Sequence, residues 1–240
     1  LRRVPTMTQN DIDDAWLAPT WFIDRDAREV TAFVESHAAA AHGPLDQAIA
    51  LFYAVRDSIR YDPYGISYEP ESFRASAVAT APANWCVPKS VLLAACARSL
   101  GIPARLGFAD VRNHLTSEKL SESMGTDLFI WHGYAELLLP DPEGAAGDVR
   151  WFKLSTAFNI ELCERFGVKP LEFDGTADAL MHPFDQAGNR HMEYVGQRGS
   201  FDDLPLDEML AEFRELYPGR FGDDTAPDSA EAAGDDAFTG

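Results

Sequence analysis

Residues 83–105 read ANWCVPKSVLLAACARSLGIPAR. Val91, Leu92, Leu93, Ala94, Ala95 and Ala97 leave this segment with no polar face. A helix that is apolar all round is a central, buried one. Gly101 is placed to cap its C-terminus, with Pro103 just beyond. Pro88 has no N–H to donate and is tolerated only in a first helical turn. The cap is therefore Trp85 or Cys86, and either choice puts the Cys86 sulfur among the unpaired N–H groups at the positive helix end. That field favours thiolate over thiol, and the same N–H groups can hold an oxyanion. Two readings of Cys86 stand at this point: a nucleophile, or a small hydrophobe entering a core. Cys96 lies deep in the apolar helix and Cys163 follows NIEL, so neither has a comparable setting.

Two helices precede this one, RDAREVTAFVESHAAA from about Arg25 and LDQAIALFYAVRDSIR after HGP. The turn-rich aromatic loop YDPYGISYEPES separates them from Cys86, and its Tyr61 and Tyr64 are candidates for shaping an acyl pocket or supplying an oxyanion donor, with Trp85 a further candidate substrate contact. Downstream the period changes. ARLGFADVR alternates, FIWHGYAELLL and VRWFKLSTAFN read as strands joined by PDPEGAAGD, and RHMEYVGQRGSF reads as a later strand. LPLDEMLAEFRELY is a short amphipathic helix. Helices first and strands afterwards predict an α+β fold, an antiparallel β-sheet packed on a central buried helix. The expected organisation is one domain over residues 1–221, with its core at about 45–200 and a helical portion at 1–44. Residues 222–240, acidic and rich in small residues, are expected to be a disordered tail.

A cysteine nucleophile needs a base within hydrogen-bond reach. His132 sits inside a strand, where alternation puts His132, Tyr134 and Glu136 on one face. If the hairpin turns near Glu143–Gly144, Ser155 lies across from His132. Ser155 can accept a hydrogen bond but carries no charge. The long polar segment VRNHLTSEKLSESMGTDLF has the character of a binding loop, and its His114, like Tyr134, is a candidate substrate contact.

The order of these pieces resembles the transglutaminase-like superfamily. The likeness rests on a cysteine opening a buried helix, LLAACARSLGIPARLGF, then WHGYAELLL, then RWFKLSTAFN, and extends to IRYDPYG. It covers roughly residues 45 to 160 and implies a papain-like core, with Cys86 as nucleophile and His132 as general base. It also implies a thioester acyl-enzyme formed on an amide of a protein or peptide, by a cysteine hydrolase or acyltransferase. The family pattern has aspartate four residues after a tryptophan, where this chain has Ser155 after Trp151. Asn159, Asp174 and Asp185 are the other candidates to orient His132. That departure keeps a second reading alive, a transglutaminase-like scaffold that binds without catalysis. A third is a metal-binding domain centred on His182 and His191 in MHPFDQAGNRHMEY, although the spacing matches no strong metal motif.

Composition narrows the partners. The net charge of −19 opposes nucleic acid and anionic membranes. No apolar run is long enough to span a bilayer, and the first residues turn polar where a signal peptide needs an apolar region. A cytoplasmic protein is expected, and three cysteines suggest no disulfide framework. No loop has calcium-ligand spacing, so no cofactor and no metal are expected for the cysteine chemistry. Nothing in the sequence fixes an oligomeric state.

Overall fold

A computed structural model describes residues 7–8, 11–114 and 124–221. The expected tail at 222–240 and the middle of the polar segment, 115–123, lie outside the described residues. Helices α1 (Arg28–Ala38) and α2 (Gly43–Ser58) lead to a two-residue strand β2 (Arg60–Tyr61), after a first short strand β1 (Met7–Thr8). The one-turn helix α3 (Ala75–Val78) and strand β3 (Ala83–Asn84) precede α4 (Cys86–Ser99). Then come β4 (Ala104–Asn113), β5 (Leu128–Pro140), β6 (Asp148–Leu154), α5 (Ile160–Phe166), β7 (Met192–Phe201) and α6 (Leu206–Leu216).

The fold is α+β as the sequence predicts. Every residue of α4 from Cys86 to Arg98 is buried, because α1, α2 and α3 cover it on one side and β4 and β5 on the other. The helix ends as read. Gly101 takes a left-handed conformation (φ 75°), which only glycine adopts without strain. The Ile102 N–H then reaches back to the Ala97 carbonyl.

The sheet is antiparallel throughout, in the order β1-β6-β5-β4-β7. The edge strand β1 has no counterpart in the sequence reading, since two residues carry no periodic signal. The register of β5 on β6 differs from the expected one. Ala135 pairs with Leu154 and Leu137 with Phe152, so the ladder is two residues away from the one that would set His132 opposite Ser155. Turn chemistry sets this register. The Asp141 carboxylate accepts from the Glu143 N–H, and the Asp148 carboxylate from the Ala145 N–H. Together they close a loop that delivers Pro140 opposite Val149. Beyond Leu154 the chain leaves β5, and the Ser155 N–H pairs with the Ala179 carbonyl.

Two ties fix the start of α4. Strands β2 and β3 pair in parallel, Arg60 with Ala83 and Tyr61 with Asn84, so the residues just before Cys86 are anchored to the end of α2. The second tie is Lys89, fully buried in an otherwise apolar helix. Its ammonium donates to the carbonyls of Arg56 (3.0 Å), Ile59 (2.6 Å) and Ala157 (2.9 Å). Burial pulls its pKa down to about 7, while three carbonyls use all three of its donors. Replacing it leaves buried carbonyls unpaired, at about 1–3 kcal/mol each. Lys89→Met is expected to lower the unfolding free energy by about 3 kcal/mol or more. Urea unfolding measures it, and a loss below 1 kcal/mol would show the carbonyls finding other partners.

Candidate active site

Cys86 is the first residue of α4, and Trp85 is its N-cap in extended conformation. Trp85 packs edge-on to Phe73 and tilted against Phe213, which holds the cap residue in the core. The backbone N–H groups of Gly133, Val87 and Cys86 approach the sulfur and favour its ionised form. Burial is the larger effect and pushes the thiol up to about 11. The helix end therefore acts on Cys86 as the sequence implies, but desolvation outweighs it. At neutral pH the resting group is a thiol.

His132 comes to the same cavity from β5. It pairs with Ala109 of β4. Burial pulls its pKa down to about 4, and its Nε2 is buried with no hydrogen-bond partner. The two groups are thus both neutral at rest, held by elements far apart in the chain.

A backbone irregularity sets where His132 sits. Two steps along β4, from Ala109 to Val111, match three along β5, from His132 to Phe129. The extra residue makes a β-bulge. Trp131, beside His132, has φ 58°, the one positive value at a described residue other than glycine, a costly conformation for a bulky side chain. Asp110 holds it by accepting from the Trp131 N–H (3.1 Å). Arg198 grips Asp110, pairs with Glu212 of α6 (2.7 Å), and lies 4.6 Å over the Trp131 ring. The sequence reading missed Asp110 and Arg198, because partners this distant in the chain leave no local pattern. A charge inside the alternating strand GFADV was the available signal.

Gly133 brings β5 against the first turn of α4. A Cβ there would stand 3.0 Å from Val87 Cα and 3.1 Å from its Cγ2. Its N–H can therefore approach Cys86 only because glycine has no side chain.

The remaining sequence candidates divide. Trp85 lines the cavity with Cys86 and His132. Tyr64 does not; its neighbours Tyr61 and Tyr68 do, because the Asp62 carboxylate folds the backbone of Tyr64 into a turn. Tyr134 points elsewhere, its hydroxyl donating to Gln197 (3.0 Å) while its ring covers Gly107. His114 lines a second depression with Arg190 and Glu193, and contacts Glu193 at 3.1 Å. Ser155 is buried beyond the end of β6, with its Oγ unpartnered. Three other candidate orienters are engaged away from His132. Asn159 accepts from the Tyr61 N–H and donates to Glu161, Asp174 bonds Thr176, and Asp185 bonds Asn189.

Among the described residues no three of His, Cys, Asp and Glu gather as a metal site. His191 is buried and stacked on Phe158, with its Nδ1 unpartnered, whereas His182 is part-exposed. Among the described residues no helix is long and apolar enough to cross a membrane.

The close approach at Gly133 has a measurable consequence. Gly133→Ala is expected to cost about 1–3 kcal/mol, since the added methyl meets backbone. Gly196→Ala, where the nearest atom is 3.6 Å away, is the control and should cost less. Equal thermal shifts for the two variants would contradict a tight seat of β5 on α4.

Comparison with known proteins sets this geometry in a family. No curated protein matches the chain significantly. Among solved structures it is similar to a "putative cysteine protease" from Cytophaga hutchinsonii, at 15% identity and a TM-score of 0.44. The alignment covers 81% of this chain but 57% of that one, so the present chain spans little more than half of that protein's length. A family model of the transglutaminase-like superfamily matches residues 31–156. This match takes in α4, β4, β5 and β6 and covers more than half of the sequence; the chain belongs to the transglutaminase-like superfamily.

Proposed function

We propose that the protein is a cysteine-dependent hydrolase or acyltransferase acting on amides of peptides or proteins. The observation that carries this reading is the shared cavity, where a thiol at a helix N-terminus and an imidazole from the sheet are brought together. In the proposed reaction the Cys86 sulfur attacks the amide carbonyl while His132 takes the thiol proton. An S–C bond forms and the carbonyl becomes an oxyanion, for which the N–H groups at the start of α4 are the available donors. Collapse breaks the C–N bond, and His132 returns the proton to the departing amine. Water, or a second amine, then attacks the thioester and releases Cys86. Because both partners rest neutral, proton transfer accompanies attack rather than preceding it.

The expected orienter is Ser155, a hydroxyl at the position where the family pattern carries a carboxylate. A specific observation supports the scaffold reading beside this one. His132 Nε2 and Ser155 Oγ are both buried without partners, and among the described residues no carboxylate is bonded to the imidazole.

Acyl capture separates the two. On incubation with peptide amides, intact-mass and peptide-level spectrometry should find an acyl adduct on Cys86 in the wild type and none in Cys86→Ala. His132→Gln should slow acylation by about 100-fold or more. Absence of any adduct, with no turnover, favours the scaffold. Ser155→Asp is expected to raise the His132 pKa from about 4 and to speed acylation by about tenfold. An unchanged imidazole titration by NMR in that variant would remove residue 155 from the mechanism.

The acid limb also follows from His132. An imidazole held near 4 when folded and near 6.5 when unfolded refuses a proton that the unfolded chain accepts. Its contribution to stability is therefore full above pH 6.5 and is lost as pH falls toward 4. His191, pulled down to about 4 by its own burial, acts the same way. His132→Gln should flatten the fall in melting temperature between pH 6.5 and 4, and an identical fall in the variant would contradict the burial effect.

A further inference from the structure

The cavity carries information on what it accepts. Its wall includes Val111, Phe129, Ile130, Phe158 and Met192, and among the described residues lining it none is Asp, Glu, Lys or Arg. Two charged side chains on the elements that build the cavity are already engaged. Lys89 directs its ammonium to three carbonyls, and Asp110 is gripped by Arg198. One of the wall's polar atoms is satisfied within the protein, since the Tyr217 hydroxyl accepts from Ile130 N–H (2.8 Å) and donates to the Leu128 carbonyl (3.0 Å).

We propose that the acyl portion of the substrate seated in this cavity is uncharged and apolar, a compact aliphatic or thioether side chain next to the scissile carbonyl. This rests on the function proposed above and names its substrate class. A charged side chain would leave water for a wall whose described residues offer no counter-charge, the costliest kind of burial. The two titratable groups in the cavity report the same environment. The thiol is pushed up and the imidazole down, each chiefly by desolvation. A net positive potential would lower both and a net negative one would raise both, so opposite shifts mark a site that disfavours charge of either sign. Outside, the net charge of −19 repels anions before they arrive. Cations are drawn to the surface and find no charged partner among the cavity's described residues. The second depression, with His114, Arg190 and Glu193, shares only Met192 with the cavity among its described lining residues, so the charged groups lie beyond the apolar wall.

Two measurements test this, one with turnover and one without. In the first, N-acetyl aminoacyl methylcoumarylamides of Leu, Met, Gln, Lys and Glu are compared by kcat/KM. Leu and Met should exceed Lys and Glu by roughly 100-fold, with Gln between. In the second, Cys86 of the full chain is modified with methanethiosulfonates that carry a methyl, a trimethylammonium-ethyl or a sulfonatoethyl group, at high salt to screen the surface charge. Rates at Cys86 are read by peptide mass spectrometry relative to glutathione. The neutral reagent should lead both charged ones by at least about tenfold after that correction. Asn113→Asp, nearly isosteric in the wall, should raise the relative rate of the cationic reagent, and Phe129→Glu serves if that variant is unstable. Charged and neutral reagents reacting alike, or Lys or Glu substrates turning over as well as Leu, would overturn the proposal. Charge discrimination at Cys86 with no turnover of any amide would support the cavity's selectivity while removing the hydrolase reading.

Discussion

The ammonium of Lys89 joins three of the pieces of chain that build the cavity wall. It sits one turn into α4, so it holds the helix that begins with Cys86. Its acceptors are Arg56 and Ile59 at the end of α2, and Ala157 after β6. Tyr61 follows Ile59 by two residues and Phe158 follows Ala157 directly, and both line the cavity with Cys86. A single buried cation thus coordinates carbonyls that secondary structure leaves unpaired. The cost of burying it is offset only while all three donors are used. This constraint holds that part of the cavity wall together.

Arg98 does the same at the other end of α4. It is fully buried, and its guanidinium donates to the carbonyls of Ala18, Ala104 and Asp202. It draws the N-terminal segment, the start of β4 and the chain after β7 onto one helix. An apolar helix would bury its surface against many neighbours without choosing among them, since hydrophobic contact is not directional. The two cations supply direction. Carbonyl geometry at each end fixes which segments meet α4 and at what height along it.

How much of this is legible in the sequence follows from the range of each cause. The course of α4 is written in consecutive residues: the apolar run, Pro88 in the first turn, Gly101 at the cap. The α+β order follows from elements long enough to show a period, and the pairing of Cys86 with His132 from the resemblance to a family. The register of β6 does not, because the Asp141 and Asp148 carboxylates set it by turn bonds that pattern alone does not rank. The bulge at Trp131 is hidden for a related reason. Its cause is Asp110 on one strand and Arg198 on another, brought together only by the completed sheet. Lys89 was visible as a charge in CVPKSVLLAACA, and its meaning required knowing which carbonyls stood unpaired nearby.

Ser155 raised a question of missing charge, and its burial gives it a physical setting. A carboxylate at a fully buried position needs hydrogen bonds or a cation to remain ionised. The Ser155 Oγ has no partner among the described residues, so a carboxylate there would stay ionised only beside a protonated base, the partner a charged His132 would supply in the proposed reaction. A hydroxyl avoids that penalty. The neutral thiol, the neutral imidazole and a wall whose described residues carry no charge are one consistent set. In the proposed reaction, charge in such a site is confined to the reacting state. There the fixed N–H groups of Cys86, Val87 and Gly133 are already in position around the sulfur and need no reorganisation.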